Sequence, residues 1–145
     1  MAVSLPPQKR TQAINICSVL LPVVRGTALA LQNAHWRVLG PQFTDLHKLF
    51  GKLYEHLDDA TDVIAERITQ YGDAPPVEIT RVVLGEERAG LKLCLAIVPI
   101  LEQAGDAIRA ACTEMANVDP VFANKLQEIV LQLEKLAFFV EAHTK

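Results

Sequence analysis

Two histidines and two carboxylates have the types and spacing to bind a metal ion. His35 and His47 lie twelve positions apart, while Asp62 and Glu66 lie four apart within a long helical pattern. A step of four places both carboxylates on one face of a helix, where they can share a cation. Imidazole and carboxylate together are typical iron ligands, with zinc as the alternative occupant. These four residues are the predicted catalytic and metal-binding set.

The separation between the two pairs decides how they could form a site. From His47 to Asp62 the chain advances fifteen residues, which is roughly 22 Å of helix. No side chain spans that distance. His35, in contrast, precedes a tight turn and can approach His47 across it. One chain therefore offers a histidine pair and, far along the same helix, a carboxylate pair.

A two-fold pairing of antiparallel helices would bring the two pairs together. With the axis near His56, His47 of one chain faces Glu66 of the other. Position 51 then faces Asp62, and the dimer contains two identical sites with ligands from both subunits. The intrachain alternative, a Glu-x-x-His motif on each of two helices, does not occur in this sequence. The pattern therefore predicts sites that are shared between subunits.

Four long helices must position these residues. Glycine and proline separate the helical stretches, and Pro22 and Pro99 are expected to kink, restart or bend the first and third helices. Asp119 is expected to cap the fourth helix. The predicted bounds are about Thr11 to Val38, Phe43 to Tyr71, a stretch between Gly85 and Val118, and from Asp119-Pro120 to about His143.

Apolar residues at steps of three and four give each helix a side that faces a core. A long link joins Tyr71 to about Gly85, and Val82, Val83 and Leu84 within it are expected to form a short helix. Such a crossover between helices 2 and 3 is typical of the ferritin-like variant of the four-helix bundle. The predicted fold class is therefore all-α. The clearest core stripe, in the second helix, is Leu46, Phe50, Leu53, Leu57, Ala60, Ile64 and Ile68.

Length and composition limit which other classes of protein the chain can belong to. The 145 residues predict a single domain over 1–145 with a short N-terminal extension, and the net charge of −3 provides no global attraction to nucleic acid. The first ten residues do not resemble a signal peptide, and the apolar run from Leu91 to Leu101 is too short to span a bilayer. Cys17, Cys94 and Cys112 predict buried, reduced thiols. A bacterial-type cytoplasmic location without membrane association is expected.

Two stretches of the chain resemble one known family. AHWRVLGPQFTDLHKLF, followed by HLDDATDVIAERI, is similar to the Dps family, the DNA-binding proteins from starved cells. The resemblance implies ferroxidase ligands at His35, His47, Asp62 and Glu66, with Trp36 as the aromatic residue beside them. It further implies a hollow dodecamer, built from two-fold dimers, that oxidises Fe(II) with hydrogen peroxide in preference to oxygen. Storage of the ferric mineral inside would protect the cell against oxidative stress.

Gly51 departs from the family pattern, which usually has a carboxylate there. We expect a looser second iron position, completed by water or Asp58. The alternative is a catalytically weak shell protein with structural metal binding or a DNA-protecting role. DNA binding in the family often uses a basic tail, but the termini offer only Lys9, Arg10 and Lys145. Little DNA condensation is therefore expected, and nucleoid association would depend on it.

Several polar side chains also have ordinary structural interpretations. Glu55 and Asp59 belong to the acidic stripe of the second helix and are expected to be solvated. His56 and His143 are expected to be ordinary surface or interface residues. Trp36 at a helix end serves packing as readily as function.

Overall fold

The computed structural model describes residues 3–145, so the first two residues of the predicted domain lie outside it. Four α-helices account for most of the described chain, and no strand occurs within those residues, only one isolated bridge between Leu39 and Ala89. The predicted all-α four-helix architecture is confirmed. The helices are α1 (Pro7–Arg37), α2 (Phe43–Tyr71), α3 (Gly90–Met115) and α4 (Pro120–Ala142).

Helix α2 begins and ends at the predicted residues. Gly72 follows it with a φ of 103°, a left-handed conformation that glycine adopts without the strain of a Cβ, and this ends the helix. Every residue of the predicted α2 core stripe is buried. The opposite side of the helix carries its charged residues, including Asp62 and Glu66, in exposed positions. The amphipathic pattern therefore fixes which face of α2 is available to a metal or a partner.

Helix α1 is longer than predicted and continuous. It begins at Pro7, because a proline in the first turn lacks only an N–H that would have no helical partner. The helix continues through Pro22, so the predicted restart is wrong. By length and composition α1 is long and apolar enough to cross a membrane. Half of its most apolar window is buried inside the bundle, as in the core helix of a globular fold.

The crossover, residues 72–89, contains no helix, so the predicted short helix at residues 82–84 is wrong. The segment lies directly against α1 and forms hydrogen bonds to that helix. The Thr80 N–H donates to the Pro22 carbonyl at 3.1 Å. A Cβ on Gly26 would lie 1.9 Å from the Thr80 carbonyl oxygen, so this approach requires glycine. Nearer the end of the crossover, the Arg37 side chain donates a hydrogen bond to the Gly85 carbonyl.

Asp119 occupies the N-cap position of α4 but makes no capping hydrogen bond. Its side chain is buried and accepts hydrogen bonds from Arg67 at 2.6 Å and from the Tyr71 hydroxyl at 2.5 Å. Asp119 therefore stands at the predicted N-cap position, but its carboxylate is engaged by two donors from the end of α2. The interaction ties the end of α2 to the start of α4.

The three cysteines are free thiols. Burial raises the pKa of Cys17 to about 12 and that of Cys94 to about 11. A thiol with so high a pKa is neutral and unreactive. Cys112 is only half-buried and donates weakly to the Ala123 carbonyl at 3.4 Å. The predicted burial is confirmed for two of the three.

Candidate metal centre

The tight turn between α1 and α2 brings the two histidines together, as predicted. Gly40 has a φ of 111°, and its carbonyl accepts a hydrogen bond from the Phe43 N–H at 3.0 Å. The imidazoles of His35 and His47 stack with their ring centres 3.8 Å apart and their planes 16° from parallel. Both side chains are half-buried, so one side of the pair is accessible.

Each histidine is held by the backbone of the other. His35 Nδ1 lies 2.6 Å from the His47 carbonyl oxygen, and His47 Nδ1 lies 2.7 Å from the His35 carbonyl oxygen. A carbonyl only accepts, so both Nδ1 atoms must carry the proton and donate it. In a neutral ring this leaves the lone pair on Nε2, the nitrogen that a metal would bind. The hairpin therefore orients both imidazoles within a single chain.

The ring of Phe43 continues the stack on the other side of His47. Their ring centres are 5.0 Å apart and their planes differ by 19°. The stack therefore runs parallel to α2 in the order Phe43, His47 and His35, and it ends at the backbone of Gly51. Sequence analysis did not identify Phe43, although its position four residues before His47 places it on the same helix face.

The stacked arrangement limits how the two rings can bind metal. A metal–imidazole bond is about 2.0–2.1 Å long and lies close to the ring plane. An ion between two nearly parallel rings, 3.8 Å apart, would lie far out of both planes. The pair as placed therefore suits two neighbouring ions, one for each ring.

The carboxylate pair remains apart from the histidines within one chain. Asp62 and Glu66 are exposed on α2, and no group of three or more His, Cys, Asp or Glu side chains is close enough to hold a metal ion anywhere in residues 3–145. Asp62 lines a cleft of about 340 Å³ between α1, α2 and the crossover. Asp58, Asp59 and Arg25 line the same cleft. One chain therefore contains the two predicted halves separately.

The residue after Glu66 anchors this end of α2 in the core. The Arg67 guanidinium lies over the rings of Tyr71 and Phe122, at 4.9 and 5.4 Å from their centres. Burial alone would raise the pKa of Asp119, but the hydrogen bonds from Tyr71 and Arg67 outweigh it and hold that pKa below its usual value. Asp119 therefore remains charged and paired with Arg67. Glu66 and Asp62 project from a firmly attached helix.

The remaining histidines have structural partners. His56 is half-buried, and its Nε2 donates to the Ile129 carbonyl of α4 at 2.8 Å. His56 is therefore a partly exposed residue that also joins α2 to α4 within the chain. His143 donates from Nδ1 to the Phe139 carbonyl, one turn earlier in its own helix.

Comparisons with known proteins agree with this architecture. A family model described as a ferritin-like domain matches residues 27–145. A "DNA protection during starvation protein" from Agrobacterium fabrum is 28% identical, with 97% of this chain and 93% of that protein covered. The "Fine tangled pili major subunit" of Haemophilus ducreyi is 30% identical over 80% of this chain and 66% of that protein.

The fold is also similar to solved structures. Dps from Mycobacterium smegmatis superposes with a TM-score of 0.89 at 23% identity, covering 97% of this chain and 91% of that one. At that identity the likeness establishes the fold, and here it confirms the predicted ferritin-like bundle with its long crossover. The single-domain boundaries 1–145 stay a prediction.

Proposed function

This chain belongs to the ferritin-like family and to its Dps branch, and we propose that it stores and detoxifies iron by oxidising Fe(II) at sites shared between subunits. The family as a whole supports iron storage and DNA protection. The observation that carries the finer proposal is the histidine pair, in which two imidazoles are oriented by reciprocal hydrogen bonds with both Nε2 atoms left for metal.

The proposed ligands divide the work by their chemistry. His35 and His47 would hold Fe(II), a borderline ion that accepts imidazole. Asp62 and Glu66 of the partner subunit would add negative charge, which favours Fe(III) and so the loss of an electron. Two Fe(II) ions supply two electrons, and with two protons these convert one hydrogen peroxide into two waters and leave two Fe(III). The ferric product would collect as mineral inside a hollow homo-oligomer, for which a dodecamer of two-fold dimers is proposed.

Anaerobic loading with Fe(II) followed by hydrogen peroxide tests the activity. Ferric absorbance should rise rapidly, with one peroxide consumed for two irons, and His47→Ala should slow this phase by at least about tenfold because a ligand is removed. His143→Ala is the matched control, because this histidine bonds only within its own helix. Oxidation no faster than in protein-free buffer would reject ferroxidase activity and favour the weakly active shell protein with a structural metal such as zinc.

The same chemistry provides a route to DNA protection without condensation. Removing Fe(II) and peroxide together suppresses hydroxyl radicals wherever the protein is, and a cytoplasmic location is proposed. Direct DNA binding has little support, since Arg10 donates to the Leu5 carbonyl and Lys145 lies 3.6 Å from the Glu141 carboxylate. We expect no retardation of duplex DNA at physiological salt. Tight retardation that weakens with salt would contradict this.

A further inference from the structure

Gly51 lies where the line of rings along α2 ends. Residues 43, 47 and 51 are four apart, so their side-chain positions follow one another at intervals of about 6 Å. The rings of Phe43 and His47 occupy the first two positions. The third is filled by His35 from α1, because a Cβ on Gly51 would lie 3.1 Å from both Cε1 and Nδ1 of that ring.

We propose that Gly51 is a positioning residue that makes room for the His35 imidazole and keeps its Nε2 directed at the metal. The inference rests on the proposed metal-binding function. It gives the absence of a carboxylate at this position a structural cause. The ring of His35 occupies the space that a side chain on residue 51 would fill. Glycine at this position therefore leaves room for the histidine pair, in addition to removing a ligand.

The His35 ring has little freedom to move away from an added side chain. Carbon atoms in contact are normally about 3.5–4.0 Å apart, so a methyl group at 3.1 Å would push the ring. Behind it lies the His47 ring at 3.8 Å, and behind that the ring of Phe43. His35 Nδ1 is also tied to the His47 carbonyl. A Cβ on Gly51 therefore requires the His35 ring to shift by a few tenths of an ångström against the stack and this hydrogen bond, and we expect that shift to change the direction of Nε2.

Gly105 in α3 provides a matched comparison. It too lies inside a helix, and it is buried where Gly51 is half-buried, but a Cβ there would meet nothing within 4 Å. Alanine is normally more stable than glycine in a helix interior, because glycine loses more backbone freedom on folding. Alanine at position 105 should therefore stabilise the protein, whereas alanine at position 51 should not.

The test compares Gly51→Ala with Gly105→Ala in the assembled protein. Co(II) is added as a spectroscopic substitute for Fe(II), and binding is followed by its visible absorption and by quenching of Trp36, the single tryptophan of the chain. We expect Gly51→Ala to weaken Co(II) binding at least about tenfold, as the loss of groups that orient a metal-binding histidine does. Gly105→Ala should bind like the unaltered protein. Native mass should be equal in all three.

Two results would overturn the proposal. One is Co(II) binding by Gly51→Ala that equals that of the unaltered protein, especially if Gly51→Asp binds more tightly, because position 51 would then lack only a ligand. The other needs no metal: a rise in the unfolding midpoint of Gly51→Ala as large as that of Gly105→Ala would show that His35 does not resist the Cβ. Failure of the unaltered protein to bind Co(II) would instead reject the proposed function, while the unfolding comparison still tests the role of Gly51.

Discussion

The two ends of α2 carry the two halves of the proposed site, and they are built differently. At the first end the ligands themselves are fixed, because His35 and His47 hydrogen-bond to each other's backbone and stack against Phe43. At the other end the ligands Asp62 and Glu66 make no hydrogen bond or ion pair within residues 3–145, and only the helix beneath them is fixed.

This difference shows how a site can be divided between two copies of one chain. Neutral imidazoles can be oriented by backbone carbonyls at no electrostatic cost, so their half forms within a single subunit. Two exposed carboxylates four residues apart repel each other, so a cation between them would be stabilising.

The largest expected effect comes from separating the two halves by mutation. His35→Ala and Glu66→Ala should each abolish rapid iron oxidation, because every site of a homodimer then lacks a ligand. Mixed dimers of the two variants should regain one intact site of two, and so about half of the original activity per dimer. The rate of ferric absorbance after peroxide addition measures this.

The mixing experiment needs dimers of verified composition. Subunits carrying different affinity tags allow the mixed species to be isolated by two successive purifications. A mixture that is never allowed to exchange subunits serves as the control. Verified mixed dimers without any activity would contradict the shared site and leave each chain to bind metal alone.

The second effect concerns the anchor below the carboxylate end. Asp119→Asn leaves the Arg67 guanidinium buried without its counter-charge, since the two side chains are only 4% and 18% exposed. We expect a loss of about 3 kcal/mol in the free energy of unfolding, as for other broken buried pairs. Urea unfolding at fixed protein concentration measures it. Glu134→Gln is the matched control, because its 2.6 Å pair with Arg109 is exposed to solvent and should contribute little to stability.

The same anchor predicts how stability depends on pH. The pKa of Asp119 is lower in the folded protein than its ordinary value, so folding favours the charged form. Its contribution is therefore complete above the unfolded-state pKa and is lost as the pH falls through the folded one, below about pH 4. Asp119→Asn should show a smaller loss of stability on acidification than the unaltered protein. Equal losses would assign the acid sensitivity to other carboxylates.

The smallest effect tests the fixed end through its outermost ring. Phe43→Leu keeps an apolar side chain but removes the stack on His47, an interaction worth about 0.5–1.5 kcal/mol. Metal binding should weaken by a few-fold to about tenfold if the stack holds the ring in place. Phe139→Leu is the control, since its ring pairs with Phe138 and not with His35 or His47. Unchanged Co(II) binding in Phe43→Leu would show that the hydrogen bonds alone orient His47.

The sequence was sufficient for features that depend on local chemistry. The core stripe from Leu46 to Ile68 follows from helical periodicity, and the end of α2 follows from Gly72. The nearness of His35 and His47 followed from a short turn. Predictions failed where a distant segment competed for a backbone or side-chain group. The crossover hydrogen-bonds to α1 through Thr80 and Gly85, and the Asp119 carboxylate accepts from Arg67 and Tyr71 at the end of α2.

By itself, then, the sequence determined the four helices, the candidate ligands and the distance that separates them, because rise per residue and periodicity are properties of the chain alone. Only the tertiary structure decided how the histidines face each other, and that His35 occupies the space beside Gly51. Ring orientation depends on hydrogen bonds and contacts between residues on different helices, and no spacing along one helix contains that information.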